Sequence, residues 1–188
     1  MTIRTVFASL ALLLALPLAA HATNWKVDHT HSSLGFSDSY QGEAFHGVFK
    51  DFQAQIAYDP AHLDQAHFDV SVKLASVDTQ SPERDQTLTG EEFFNTSAHP
   101  TAHFASGAFT RDSAGQVTAT GTLSLNGVSH PVTLKVDFHQ GAGASSTLTV
   151  TTTLNRLDYK LGTASDWNAI GKQVAVKATL ALSPASGT

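Results

Sequence analysis

Apolar and polar residues alternate along most of the chain after residue 22, and this period of two predicts β-strands. The alternation is clearest on either side of Asn126-Gly127, a dipeptide that favours a two-residue hairpin turn. Six further segments show the same pattern. The predicted strands cover residues 25–36, 44–58, 67–79, 101–110, 116–125, 128–138, 148–154 and 174–182.

Two of these segments change the parity of their apolar positions midway. In the first strand the apolar residues move from odd to even positions at Ser32-Ser33, and in residues 44–58 they change between Phe49 and Phe52. A β-bulge produces such a change, and barrels use bulges to bend their strands. About eight strands with frequent turns and no βαβ alternation predict an all-β antiparallel domain. Periodicity leaves a barrel and a sandwich both open, but the bulged strands favour a closed barrel.

Residues 77–104 are the one long segment without a strand pattern. Ser81-Pro82-Glu83 is typical of a helix start, with a capping hydroxyl, proline at the first helical position and early acidic charge. Gly90 ends this helix, and a second turn carries the Phe93-Phe94 pair. We therefore predict a short helical segment around residues 82–94. It is too short to bury its apolar side alone, so we expect it to pack on the barrel as a plug or rim.

The first 22 residues have the pattern of a cleaved secretory signal peptide. Arg4 is followed by an apolar stretch at residues 6–18 and by an Ala20-His21-Ala22 cleavage site. An N-terminal membrane anchor is the alternative, but the apolar stretch is short for a span. We predict export from the cytoplasm, a single domain at residues 23–183 and a flexible tail at residues 184–188.

Composition narrows the classes of chemistry. The chain has no cysteine, which excludes disulfides and thiolate chemistry. Without residues 1–22, ten basic residues face sixteen acidic ones, so the formal net charge is 10 − 16 = −6. A mildly acidic chain without basic clusters argues against a nucleic-acid partner.

Histidines are the most plausible metal ligands in this sequence. His29 and His31 would place two imidazoles on one face of a strand, and a third ligand would have to come from elsewhere, for example His99 or His103. No complete metal-binding spacing and no hydrolase signature is present. A histidine-dependent metal enzyme therefore stands as an alternative hypothesis, and no metal ligand is assigned.

A charged pair, Arg84-Asp85, lies beside the apolar residues of the predicted helical segment. One interpretation is structural: Asp85 fixes the helix start, and Arg84 pairs with it or with a neighbouring loop. The other places one of the two at the mouth of an apolar cavity, where it holds the polar end of a ligand. Arg156 and Asp158 form a second candidate pair with the same two interpretations.

The many phenylalanines have two interpretations as well. They can fill a solid barrel core, as side chains do in small barrels. Alternatively, bulky residues mixed with very small ones, such as Phe49 beside Gly47, can leave a slot for a ligand.

Five motifs, in order along the chain, resemble those of the YceI-like polyisoprenoid-binding periplasmic proteins. The first is W-x-V-D-x-x-H-S at residues 25–32, and the second is F-x-G-V-F-x-x-F at residues 45–52. The third is central and combines S-V-x-T, R-D-x-x-L and F-F-x-x-x-x-x-P-x-x-x-F between residues 76 and 104. The last two are G-x-L-x-x-N-G-V-x-x-P-V at residues 121–132 and R-x-D-Y-x-L-G at residues 156–162.

This resemblance implies a periplasmic lipid-binding domain at residues 23–183. Its fold would be an eight-stranded antiparallel lipocalin-like barrel around an elongated apolar pocket. Members of the family carry isoprenoid quinones, polyprenyl phosphates or similar amphiphiles, are not known as enzymes, and often form homodimers. A bound isoprenoid lipid or quinone is thus implied in place of a cofactor. The resemblance implies a polar rim of Arg84, Asp85 and Arg156 and an apolar lining of Phe36, Phe45, Phe49, Phe52, Leu74, Leu88, Phe93, Phe94, Phe104 and Trp167.

Two features qualify the resemblance. Thr87 stands where many relatives have histidine before the leucine of R-D-x-H-L, which bears on the head group. The Ser165-Asp166-Trp167 insertion is similar to that of a subgroup found near or fused to cytochrome b561-type membrane proteins. It implies such a protein as a partner in a quinone-linked role. A regulatory module for that partner, without cargo, is a further alternative.

Overall fold

The computed structural model describes residues 22–141 and 145–185. The predicted signal peptide lies outside these residues, apart from Ala22. The elements, in chain order, are β1 Asn24–Tyr40, β2 Glu43–Phe49, β3 Phe52–Ala57, β4 His67–Lys73, β5 Val77–Asp78, α1 Pro82–Thr89, β6 Thr101–Arg111, β7 Val117–Leu125, β8 Val128–Gln140, β9 Ser146–Asn155 and β10 Gln173–Pro184.

Eight of these strands close into an antiparallel barrel. The ring runs β1, β3, β4, β6, β7, β8, β9, β10, and β10 returns to β1. The closing seam extends from the Trp25–Pro184 pair to the Ser37–Ala175 pair. β2 and β5 extend the sheet from the second half of β1. This confirms the eight-stranded antiparallel barrel, and closure removes the free strand edges that a sandwich would leave.

Parity changes in the sequence correspond to two different features. The register of β1 on β10 shifts between Asp28 and Ser33, so the predicted hinge at Ser32-Ser33 lies at an irregularity of the strand. The change between Phe49 and Phe52 is instead a break between β2 and β3. At this break the Lys50 N–H donates to the Ser76 carbonyl, so β2 turns from the barrel wall toward β5.

The predicted strand at residues 67–79 is also divided. β4 ends at Lys73, and a 3₁₀ turn at Leu74–Ser76 leads into β5. The Ser76 hydroxyl donates to the Lys73 carbonyl at 2.6 Å, which stabilises this turn. Hydroxyl bonds of this kind compete with strand pairing, and periodicity does not reveal them.

The predicted helical segment is confirmed. Ser81 caps α1, its hydroxyl accepting a hydrogen bond from the Arg84 N–H at 3.4 Å, and Pro82 is the first helical residue. α1 ends at Thr89 before Gly90, and the Phe93-Phe94 pair follows in non-helical turns.

The last strand extends into the predicted tail at residues 184–188. β10 continues to Pro184, which pairs with Trp25, and the Ala185 N–H donates to the Asn24 carbonyl. Residues 186–188 lie outside the described part of the chain.

Two apolar clusters make up the core. The larger one fills the end of the barrel where β1 and β7 begin, and includes an aromatic group of Trp25, Tyr58, Phe68, Phe109 and Phe138. The smaller cluster lies at the other end, where α1 and the segment between β9 and β10 pack on the barrel. Among the described residues, no helix has both the length and the apolar character that spanning a membrane requires.

Candidate ligand-binding cavity

The barrel encloses an apolar cavity of about 240 Å³. Its wall is made of 33 residues, and all but Asp38, Thr152, Arg156 and Tyr159 have purely hydrocarbon side chains. The lining residues belong to both apolar clusters of the core, so this small volume extends along the barrel axis as a long, narrow space. The interior is therefore not completely filled by side chains.

The two ends of this cavity differ. At one end Phe68 lines the wall, and Tyr58 and Phe109 pack behind it with ring centroids 5.9 and 4.8 Å from that of Phe68. The Trp25 indole N–H donates to the Tyr58 carbonyl at 2.9 Å and holds this aromatic group together. We call this the closed end. The other end, which we call the mouth, lies between β2, the turns after α1 and the 156–172 segment.

Nine of the ten predicted lining residues line the cavity. At the mouth they form a continuous series of rings: the Phe36 centroid is 6.3 Å from that of Phe45 and 5.7 Å from that of Phe49, which is 5.8 Å from Phe94. Such tilted or edge contacts are favourable aromatic geometries. The nine residues are Phe36, Phe45, Phe49, Phe52, Leu74, Leu88, Phe93, Phe94 and Phe104.

Trp167, the tenth predicted lining residue, is not among the residues that line the cavity. Its indole N–H donates to the Glu92 carboxylate at 2.9 Å, and its ring meets Phe93 edge-on at 5.0 Å. Trp167 therefore supports a lining residue from behind.

Arg84 and Asp85, which were predicted to form a polar rim, lie outside the cavity wall. The Asp85 carboxylate accepts hydrogen bonds from the Thr79 N–H at 2.8 Å and the Thr79 hydroxyl at 2.6 Å, and so ties α1 to the end of β5. The Arg84 guanidinium lies 4.7 Å from the ring centroid of Phe45, a cation–π distance. Arg84 is therefore one ring away from the cavity, and it makes no ion pair with Asp85.

Arg156 does line the cavity, but as a buried residue rather than an exposed rim residue. Its side chain is 5% exposed, and its guanidinium donates to five backbone carbonyls within the segment that joins β9 to β10. Burial lowers the pKa of Arg156, and the nearby Asp38 carboxylate opposes this shift. The five acceptors are Leu161 and Gly162 at 2.6 Å, Gly171 at 2.8 Å, Trp167 at 3.0 Å and Ile170 at 3.3 Å.

Asp38 is a cavity residue that the sequence analysis missed. It lies on β1 in step with Leu34 and Phe36, which also line the cavity, whereas Ser37 faces an outer groove. Its Oδ1 accepts a hydrogen bond from the Ser39 N–H at 2.6 Å. Burial raises the pKa of Asp38, while the Ser39 N–H and the Arg156 charge oppose this rise. The period-two pattern was the available signal, but the first strand was predicted to stop at Phe36.

Most other missed lining residues are aliphatic. They lie at alternate positions of strands that the sequence analysis assigned only to a general core, and include Val70, Leu123, Leu134, Val150 and Val176.

The structure does not assemble the histidines considered as metal ligands. His31 pairs with Asp28 at 2.8 Å, and His103 pairs with Asp69 at 3.1 Å on neighbouring strands. The His29 ring instead lies edge-on to Phe52 at 5.1 Å. Within residues 22–141 and 145–185, no group of three or more potential ligands is placed to hold a metal ion.

The profile of the YceI-like domain matches residues 25–182. This chain belongs to the YceI-like family.

This YceI-like chain is similar to several other proteins and solved structures. A UPF0312 protein of Shewanella denitrificans is 37% identical over 125 residues, so the chain spans 65% of that relative's length. The crystal structure of BcnA from Burkholderia cenocepacia matches 83% of this chain and 99% of its own, with a TM-score of 0.78 and 26% identity. A polyisoprenoid binding domain from Saccharophagus degradans, implicated in plant cell wall breakdown, matches 88% of this chain and 100% of its own. Its TM-score of 0.64 at 20% identity shows a shared fold.

Proposed function

We propose that this YceI-like protein binds a long-chain isoprenoid lipid in its barrel and carries it through the periplasm. The observation that carries the proposal is the long, narrow cavity with its almost wholly hydrocarbon wall. An isoprenoid tail has no hydrogen-bonding groups, and each buried carbon unit gains about 0.8 kcal/mol over exposure to water. A closed barrel offers such a tail a dry path without exposing strand edges.

The dimensions of the cavity favour a flexible chain over a compact ligand. Pockets for drug-sized molecules typically measure about 300–1,000 Å³, whereas this cavity has about 240 Å³ spread along the barrel axis. Family membership supports an isoprenoid as the ligand, and one structural neighbour is described as a polyisoprenoid binding domain. The pattern of residues 1–22, typical of a signal peptide, supports the periplasm as the location.

The two alternative functions have less support. A metal-dependent enzyme needs at least three convergent ligands, and no such group is present in the described part of the chain. A regulatory interaction module that carries no lipid would not need an internal apolar cavity. We therefore propose a binding protein rather than an enzyme.

The proposal is tested by filling the cavity. Ala178 lines it in the middle of β10 and pairs with Leu34 and Val150 on the adjacent strands. Ala178→Phe should therefore block the tunnel. Ala175→Phe is the matched control, because Ala175 lies on the same strand and faces the outer groove.

Binding is measured with ubiquinone and geranylgeraniol, and co-purifying lipid is identified by native mass spectrometry. We expect bound lipid in the unmodified protein and in Ala175→Phe, and an affinity lowered at least about tenfold in Ala178→Phe, or about 1.4 kcal/mol. Circular dichroism establishes that each variant is folded, since overpacking a core costs about 1–3 kcal/mol. Absence of binding in the unmodified protein, or equal binding by the two variants, would contradict the proposal.

A further inference from the structure

Few polar side chains are available to a ligand inside the cavity. Its wall contains four polar side chains, those of Asp38, Thr152, Arg156 and Tyr159. In a wall that is otherwise hydrocarbon, the free hydrogen-bonding atoms among these four decide which head group is accepted.

Two of the four are already engaged by the protein. The Thr152 hydroxyl donates to the Thr133 carbonyl at 2.9 Å. All five N–H groups of Arg156 donate to backbone carbonyls, so this cation has no free donor for a ligand. The Tyr159 hydroxyl can either donate or accept, so it does not discriminate between donor and acceptor heads.

Asp38 remains as the group that can discriminate. Its Oδ1 is held by the Ser39 N–H, and within the described residues no protein group donates to its Oδ2. The carboxylate lies against Gly171, where any side chain would collide with Oδ1. The Gly171 N–H donates to the Ser39 carbonyl at 2.8 Å, and Tyr40 pairs with Ile170, so the backbone around the carboxylate is fixed.

The position of Asp38 is suited to a head group. It follows Leu34 and Phe36 along β1 toward the mouth and pairs with Phe45, the ring below Arg84. A tail lying along the barrel axis would thus bring its polar end to this carboxylate. A phosphate there would bring a second negative charge close to this partly buried carboxylate, and Arg156, the one cation among the described wall residues, has no N–H to offer it.

We infer that Asp38 selects an uncharged head group that donates a hydrogen bond, such as the hydroxyl of a polyprenol or a reduced quinone, over a phosphate. This inference rests on the proposed lipid-binding function. The Asp38 carboxylate would form a hydrogen bond with the head group, which the hydrocarbon side chains of the wall cannot do.

The test uses three ligands with the same twenty-carbon tail. Geranylgeraniol donates a hydrogen bond, its methyl ether only accepts one, and geranylgeranyl phosphate carries negative charge. Their affinities are compared for the lipid-free protein, for Asp38→Asn and for Glu43→Gln. Glu43→Gln is the matched control, since Glu43 is an exposed carboxylate on the same hairpin that does not line the cavity.

We expect the unmodified protein and Glu43→Gln to bind the alcohol about tenfold more tightly than the ether or the phosphate, the scale of one hydrogen bond to a charged group. Asp38→Asn should reduce the preference over the phosphate to about threefold or less. The substitution conserves shape, and thermal unfolding verifies its fold.

The outcomes separate the inference from the proposed function. If all three ligands bind but Asp38→Asn keeps the full preference, the inference is wrong and the lipid-binding function stands. The inference is also wrong, and the lipid-binding function stands, if the phosphate binds best and Arg84→Gln removes that preference. If none of the three ligands and no quinone binds, the proposed function itself fails.

Discussion

Arg156 is a buried cation without a carboxylate partner within ion-pair distance among the described residues. Its cost of burial is offset by five carbonyl acceptors supplied by residues 161–171. The planar guanidinium fixes this long connection between β9 and β10 over the mouth, which lysine, with three donors on one atom, would do less well.

Arg156→Ala should therefore be strongly destabilising. It leaves several carbonyls without a donor, and we expect a loss of at least about 3 kcal/mol in the free energy of unfolding, measured with urea. Arg111→Ala is the control, because exposed Arg111 also donates to carbonyls, those of Gly115 and Pro60, and should cost no more than about 1 kcal/mol. Equal losses for the two variants would contradict the structural role of Arg156.

At the scale of the strand, glycine positions decide where aromatic rings lie. A side chain at Gly47 would collide with the Phe36 ring and would come within 2.9 Å of Thr79 Cγ2. A side chain at Gly121 would collide with the Phe104 ring and the Ala105 carbonyl. Both phenylalanines line the cavity, so the missing side chains hold open the places that these rings occupy.

Gly47→Ala tests this dependence. The added methyl should displace Phe36, and we expect a loss of about 1–3 kcal/mol in stability together with weaker lipid binding. Gly107→Ala is the matched control, because the nearest atom to a new methyl there is the Thr120 carbonyl oxygen at 3.7 Å. Gly107→Ala should be neutral or slightly stabilising. Urea titration and lipid titration of both variants provide the comparison, and a neutral Gly47→Ala would show that Phe36 can move freely.

At the scale of the whole molecule, the two ends of the barrel differ in their aromatic packing. Tyr58, which is 1% exposed, packs against Phe68, Phe109 and Phe138 at the closed end. At the mouth Phe36, Phe45 and Phe49 are partly buried, and Phe94 is buried. We therefore expect substitutions at the closed end to affect mainly stability and substitutions at the mouth to affect mainly ligand binding.

Tyr58→Leu should affect mainly stability, and Phe45→Ala should affect mainly lipid binding. Tyr58→Leu loses packing in the larger core, and we expect roughly 2–4 kcal/mol of lost stability with affinity for geranylgeraniol within about threefold of the unmodified protein. Phe45→Ala should cost less than about 2 kcal/mol and weaken binding about tenfold. If the two variants lose stability and affinity in the same proportion, the two ends are not functionally distinct.

The sequence by itself determined the strand content, the Asn126-Gly127 hairpin and the Ser81 cap. These follow from local rules: side chains alternate faces along a strand, and caps and turns depend on neighbouring residues. Strand alternation also places Asp38 on the same face as Leu34 and Phe36, but the first strand was predicted to end at Phe36.

Only the tertiary structure decided which residues meet. Three residues near the mouth contact other protein groups instead of the cavity. Arg84 lies over the Phe45 ring, Asp85 accepts hydrogen bonds from Thr79, and Trp167 donates one to Glu92. Arg156 is directed into carbonyls that become neighbours only when residues 156–172 fold back on β1. Side-chain direction and partners depend on contacts far apart in the chain, and a linear pattern specifies the face of a strand without specifying what lies opposite that face.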